Sequence, residues 1–324
     1  MKRPTPRKNR RPGRPAAGRR SRPRAAVLCA GIAVEDFIFR VNRFPTPGTK
    51  TVIEEYVVTG GGCAANAAIA IARLGGVARF AGPLGDEEMS DRILAGMAGE
   101  SVDISGVERM AGGIASFSGI FIDPAGERLL ATRRSQGLRK ARAADPDALL
   151  QGIAVVLADN HFPEFVLPIC RAARKRGLAV VLDVDRATKP EDPLLALATH
   201  PIFSAEALRG TTGTEELEAA LAHAARFCRG FVAVTDGVKG AFWRNGGAAG
   251  HVDTFAIEAV DTLAAGDVFH GAFALALAEG SDERKALRFA AATAGLKCAR
   301  FGGIAGAPTR AAVDALMRKT PAAD

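Results

Sequence analysis

The chain has 324 residues, 48% of them hydrophobic, enough for a large packed core. No stretch approaches the roughly 20 uninterrupted apolar residues that a membrane helix requires. Five scattered cysteines without a C-x-x-C pair, and five histidines without an H-E-x-x-H, argue against a zinc site and a disulfide framework. They fit a reducing, cytoplasmic setting.

The formal charge of +8 belongs to one end: residues 1–24 hold 11 Lys/Arg and no Asp/Glu, leaving 32 basic against 35 acidic side chains in the rest. That Pro-, Gly- and Arg-rich tail cannot bury a core and is expected to be disordered. It reads as a nucleic-acid or anionic-surface contact, a targeting segment, or an inconsequential extension. The third reading is favoured, because the apolar run that follows ends in Glu35-Asp36 and lacks a small-residue cleavage pattern.

From residue 25 onward strands and helices alternate. The run 25–34 predicts a strand buried on both faces, 64–76 an Ala-rich helix closed by glycine, and 77–88 a strand leading into an acidic helix start. Further buried strands are expected at 152–159, 177–185, 200–206 and 230–237. Helices are expected at 165–177, 215–230, about 264–279 and 283–300. Two segments, 37–58 and 115–133, carry strand-like runs without a crossover helix, the second around Pro124-Ala125-Gly126-Glu127. They predict a small β lid over a site. The whole predicts a three-layer α/β/α sandwich with a mostly parallel sheet.

Two motifs carry chemistry. In the first, Thr59-Gly60-Gly61-Gly62-Cys63-Ala64-Ala65-Asn66 runs from a strand through three glycines into a helix, where backbone can approach a ligand. The glycine spacing also satisfies a Rossmann dinucleotide fingerprint, which leaves a nicotinamide oxidoreductase as an alternative. Asn66 either caps locally or needs a partner. In the second, Asp261-Thr262-Leu263-Ala264-Ala265-Gly266-Asp267 places small residues and an acid at a helix start, which suits a transferring phosphate. No Gly-Lys dipeptide exists, so a P-loop is excluded.

Together the two motifs resemble the paired signatures of the ribokinase (PfkB) carbohydrate kinases, over about residues 25–318 and in that family's order. The runs VVLAD, IFSAE and GDVFHGA are most similar to the sulfofructose kinase branch, with ketohexokinases more distant. The resemblance implies a single ribokinase-like kinase domain over 25–324 and ATP-dependent phosphorylation of a hydroxyl on a small sugar. Candidate acceptors are sulfofructose, fructose, ribose or ketodeoxygluconate, with a nucleoside as the alternative. It implies Asp267 as base, with Ala264, Ala265 and Gly266 as the anion hole. Asp36, Gly61, Gly62 and Asn66 are to line the sugar pocket; of the sulfofructose branch's three anion-contacting positions, Lys50 keeps its basic residue, while the other two fall near His161 and Ala111 and lose theirs. Thr235, Gly237 and Gly240 are to lie along ATP, and Gly302 and Gly303 near adenine. Mg²⁺ is to be held mostly through water, and a monovalent cation such as K⁺ is implied near Asp261 and Leu263. Lid strands of this kind imply a homodimer, and neither a membrane nor a nucleic acid is an expected partner.

The sequence departs from the family pattern at Ala264, where a glycine is usual, and at 204–207, where N-x-x-E is absent. Ala264 is acceptable there if its φ is negative. Two minor positions complete the expectations: Cys63 as a small filler without a base partner, and His270 one turn beyond Asp267, more often a packing residue than a ligand contact. An aspartate at a helix start is expected to be a weak base, because the dipole favours its ionised form.

Overall fold

The structure, a computed structural model, describes residues 26–320, so the tail expected at 1–24 lies outside the described residues. The main sheet has nine strands. Its parallel part comprises β1 (Ala26–Ala30), β4 (Val77–Gly85), β5 (Asp103–Met110), β8 (Val155–Asp159), β9 (Ala179–Val184), β10 (His200–Ser204) and β11 (Phe231–Thr235). An antiparallel hairpin, β12 (Ala241–Asn245) and β13 (Ala248–Val252), extends one edge. The spatial order is β13-β12-β11-β10-β9-β8-β1-β4-β5.

Each central strand is buried on both sides, and period-two alternation splits its side chains between two cores. On β8, Val155 and Leu157 enter one core while Val156 and Ala158 enter the other. The first face carries α1 (Cys63–Arg73), α8 (Ala265–Ala278) and α9 (Glu283–Cys298), with α2 (Glu88–Gly99) and α10 (Arg310–Lys319) beside them. The second carries α3 (Pro146–Leu149), α4 (Pro163–Lys175), α5 (Pro193–Leu197), α6 (Ala205–Thr212) and α7 (Leu217–Ala224). This is the three-layer sandwich that the alternation predicts.

The lid is a separate four-stranded sheet in the order β3-β2-β6-β7, built from β2 (Val34–Arg40), β3 (Glu55–Gly61), β6 (Ser116–Ile122) and β7 (Arg128–Arg133). Its inner face packs Ile38, Ile120 and Ile122 on Leu263, against the loop that opens α8.

Some boundaries differ from expectation. Run 25–34 is two strands, because the chain leaves the main sheet after Ala30 and enters the lid at Val34. The cause is the carboxylate closing β8: Asp159 accepts the Ile32 N–H at 2.7 Å and takes that backbone out of the ladder. Strand β10 stops at Ser204, whose hydroxyl accepts the Ala207 N–H and caps α6. The strands β5, β12 and β13 were not foreseen.

The direction of crossover reverses between β1 and β8. In a sheet of this kind ligands collect at such a switch point, beyond the carboxyl ends of the strands. The register aligns those ends: Asp159 pairs with Asp183, Phe203 with Val184, and Ser204 with Thr235.

Candidate active site

A cavity of about 520 Å³ lies between the switch point and the lid, within the size range of small-molecule sites. Its floor is made by two helix starts. Helix α1 begins at Gly62, whose φ of 94° suits glycine, and a Cβ there would come 2.6 Å from the Ile32 carbonyl oxygen. A Cβ on Gly61 would sit 2.0 Å from the Asp36 carboxylate, so this glycine clears the space in which Asp36 stands. Helix α8 begins after Ala264, and residues 262–267 all line the cavity.

Asn66 and Asp267 meet on that floor: the Asn66 Nδ2 donates to the Asp267 Oδ2 at 2.6 Å. Asn66 therefore has a distant partner and is not a local cap. Its Oδ1 is buried without a hydrogen-bond partner, an orphaned acceptor that a ligand hydroxyl would satisfy. Asp36, on the inner face of β2, lines the same cavity beside Ser118. Burial pushes its carboxyl up to about 7, against a hydrogen bond from Ser118, and the Asp267 charge adds to the rise.

Asp267 is itself pushed up to about 6. Burial is the main cause; the Asn66 hydrogen bond opposes it, and the Asp185 charge reinforces it. The expectation of a weak base at a helix start is thus overturned, because desolvation outweighs the helix dipole here. The first-turn amides of α8 have no carbonyl ahead of them in the helix. That of Ala265 reaches the Thr262 carbonyl at 3.3 Å, and the rest of the turn lines the cavity, where free amides suit an anion. Ala264 has φ 63°, ψ 8°, so the condition of a negative φ is not met. Left-handed backbone at a non-glycine residue costs about 1–2 kcal/mol, and the turn is made despite that strain.

Carboxylates gather at the strand ends: Asp159, Asp183 and Asp185 surround the Asp267 side of the cavity. Burial and the charges of its neighbours hold the Asp183 carboxyl far above the usual range. His161 lies on the cavity wall with Nε2 3.2 Å from Asp185 and 3.8 Å from the Cys63 Sγ. Burial draws its basicity down, but Asp185 and Asp159 raise it more, so the net shift is upward. Cys63 thus has a histidine neighbour that the sequence did not reveal, yet burial and surrounding carboxylates keep it a thiol. His270 is buried, with Nδ1 2.7 Å from the Gly266 carbonyl and its basicity lowered by burial; it packs and does not line the cavity.

Other expected residues fall elsewhere. Lys50 is exposed in the β2–β3 connection and Ala111 in a turn, and neither lines the cavity. In their place four arginines do: Arg128, Arg134, Arg139 and Arg186. Among the described residues none of the four is in an ion pair with a carboxylate. The run Arg128-x-Leu130-x-Thr132-x-Arg134 alternates onto the inner side of the lid, a period-two signal visible in the sequence. Thr235, Gly237 and Gly240 stand at the carboxyl end of β11, on the same sheet edge but outside the cavity. Glu206 is exposed, so nothing replaces the missing N-x-x-E there. Gly302 and Gly303 donate their N–H groups to the Asp261 Oδ2 at 2.9 and 2.8 Å. The place expected to take a monovalent cation does not fit one, since the Lys297 ammonium already occupies it, 3.1 Å from that same oxygen.

Comparison with known proteins agrees with this geometry. Residues 24–310 match the pfkB family carbohydrate kinase domain. The chain is 28% identical over 301 residues to a ribokinase of Haemophilus influenzae, covering 89% of this chain and 96% of that one. A crystal structure from Agrobacterium tumefaciens, provisionally named a ribokinase, is 38% identical with a TM-score of 0.88, covering 92% and 98% of the two chains. The ribokinase of Arabidopsis thaliana complexed with ribose and ATP is 25% identical, with a TM-score of 0.78 over 91% and 99%. The nicotinamide reading falls: Gly60–Ala65 run from the end of a lid strand into α1, not from the first strand of a Rossmann unit.

Two measurements follow from the floor. Asp267→Asn should lower turnover by about 10²–10⁴-fold, the usual contribution of a positioned base. Because the folded carboxyl is raised above its ordinary value, ionising it destabilises the apo fold as pH passes about 6. The variant should therefore melt above wild type at pH 8, with the gap closing towards pH 4; a gap that widens in acid contradicts the assignment. Separately, Ala264→Gly should raise the melting temperature by removing left-handed strain, and a lowered one would show that Ala264 is not strained.

Proposed function

The chain belongs to the pfkB family of carbohydrate kinases, and on that premise we propose that it phosphorylates, with ATP, a hydroxyl of a small sugar bearing a negatively charged group. The observation that carries the kinase part is the junction of Asn66, Asp267 and the α8 amides on one cavity floor, with Asp36 facing them from the lid. The sugar diol is gripped by the Asp36 carboxylate and the orphaned Asn66 Oδ1. Its free hydroxyl is directed to Asp267, which takes the proton as the new bond forms. In a loose phosphoryl-transfer transition state that proton leaves late, so a carboxylate of this basicity suffices. The amides opening α8 hold the transferring phosphoryl group. The lid closes above and excludes water.

ATP lies along the sheet edge, from this floor past Asp183 and Ser204 towards Thr235, Gly237 and Gly240. The carboxylate-lined wall suits a hard divalent cation, and Mg²⁺ would be held through water by Asp185. When bound, that ion neutralises triphosphate charge. No helix among the described residues is long and apolar enough to cross a membrane.

The charge on the sugar is argued from the arginines. Arg186 adjoins the carboxyl end of β9, on the phosphate side, whereas Arg128, Arg134 and Arg139 belong to the lid and its exit. Unpaired guanidiniums facing a cavity suit a phosphate, sulfonate or carboxylate held in a fork. The sulfofructose type of acceptor falls within this class, with the lid arginines standing where Lys50 and Ala111 do not.

We also infer a homodimer through the outer face of the lid. There Tyr56, Phe39, Phe121 and Leu129 are aligned across four strands by the register, and Tyr56 and Leu129 are 65% and 45% exposed. An exposed apolar row of this kind favours self-association.

The substrate test is a coupled ADP assay with neutral ribose and fructose against sulfofructose, ketodeoxygluconate and sugar phosphates. An anionic acceptor should have the highest kcat/KM, and Arg139→Ala should raise its KM about tenfold or more, the worth of one charged hydrogen bond, while sparing neutral sugars. Preference for a neutral sugar would overturn the anionic part alone. As for assembly, sedimentation should give a dimer that Tyr56→Glu with Leu129→Glu dissociates, and a monomeric wild type would rule it out.

A further inference from the structure

Lys297 is the most deeply buried cation of the described residues: its side chain and that of Asp261 are both 0% exposed. Its Nζ donates to the Asp261 backbone carbonyl at 2.8 Å and lies 3.1 Å from the Asp261 Oδ2. Burying an ammonium so completely is costly unless oxygens replace its water. Here they come from a single residue, from both its main chain and its side chain.

That residue organises two loops. The Asp261 Oδ1 accepts the Leu263 N–H at 2.7 Å, and Oδ2 accepts the amides of Gly302 and Gly303. The amides of Val260 and Asp261 in turn donate to the Cys298 carbonyl, at the end of α9. Lys297 is in the last turn of that helix, where the free carbonyls and the dipole favour a positive charge. The loop so fixed, 261–264, leads without a break into the amides that form the anion hole, and Ala264 is held within it in a strained conformation. A cation at this spot balances a buried carboxylate that already accepts three N–H groups.

We propose that the Lys297 ammonium serves as a built-in monovalent cation, so that the enzyme needs no K⁺, Na⁺ or NH₄⁺ to set its anion hole. Lys297 is a positioning residue. It touches neither sugar nor nucleotide, and it acts by holding Asp261, and through it the amides of α8, at the place of phosphoryl transfer. The proposal rests on the kinase reading for its effect on turnover but not for its effect on stability.

The test compares wild type and Lys297→Met at equal ionic strength in tetramethylammonium chloride, KCl and NH₄Cl. Two readouts are taken: the melting temperature of the apo protein, and ADP formation with the best acceptor found. Wild type should be indifferent to the cation in both. Lys297→Met opens a cation-sized space beside Asp261, so K⁺ or NH₄⁺ should raise its melting temperature, and tetramethylammonium, too large to enter, should not. Its kcat should fall about 100-fold, the cost of a 1 Å misplacement near the chemistry, with KM for the sugar little changed, and K⁺ or NH₄⁺ should restore most of the loss. Activation or stabilisation of wild type by K⁺ overturns the proposal whether or not the variant folds. So does a Lys297→Met protein that turns over at the wild-type rate in tetramethylammonium, or one that no small cation rescues in either readout. If no acceptor yields ADP, the kinase reading fails, and the melting series still decides the role of Lys297.

Discussion

The floor of the cavity exists because α1 and α8 come together with almost no side chain between them. A Cβ on Gly271 would lie 2.7 Å from the Ala67 carbonyl oxygen, so the two backbones are in near contact there. Both helices are rich in small buried residues near that point, among them Ala64, Ala67, Ala68 and Ala272. Small residues permit this approach, and the approach lets a side chain as short as Asn66 reach Asp267 at 2.6 Å across 201 residues of chain. Bulkier neighbours at this seam would part the helix starts and leave the glycine motif and the acid motif as two unrelated turns. The alanine content that reads as plain helix propensity is therefore also a constraint on the chemistry.

The second determinant is water. A helix start by itself makes an aspartate a poor base, since the dipole favours the ionised form. In and around this cavity the carboxylates Asp36, Asp159, Asp183 and Asp267 are all largely withdrawn from solvent, and burial is the leading influence on each. The same helix start thus does two opposed things. It offers amides to an anion, while the walls around it keep the neighbouring carboxyl basic enough to accept a proton near neutral pH. On the proposed reading, a sugar diol at Asp36 and a nucleotide's cation at the strand ends would relieve that crowding. The cavity suits occupants whose hydrogen-bond donors and positive charge offset its acids.

Much of this was legible in the sequence, for particular reasons. The run 155–158 of β8 is apolar at every position because both faces are covered, and that pattern needs no tertiary knowledge to read. Asn66 and Asp267 stood out as polar residues in apolar or small-residue surroundings, Asp36 was implied by the family resemblance, and the cavity brings all three together. What escaped notice was of two kinds. The edge hairpin β12–β13 carries a mixed, half-exposed pattern, with Trp243 and Arg244 adjacent, and offers no clean period. The lid arginines did alternate in sequence. Their importance lies in facing a cavity without a carboxylate partner, a property of the assembled sheet and not of the strand.

Asp261 shows the limit of reading such residues one at a time. In sequence it is the first acid of a motif, and its natural interpretation is a ligand for a mobile ion. In the fold it is fully buried, receives three backbone N–H groups, and is joined to a lysine 36 residues later on another helix. The acid and its counter-charge belong to separate segments, and a lysine in the last turn of a helix reads by default as a solvated end. Only the packing of α9 against the 260–264 loop turns that default into a buried ion pair. The consequence for the chemistry is physical and local. A covalently tethered charge cannot be diluted or exchanged, so the loop that carries strained Ala264 and leads into the anion hole is set by folding itself, before any sugar or nucleotide arrives.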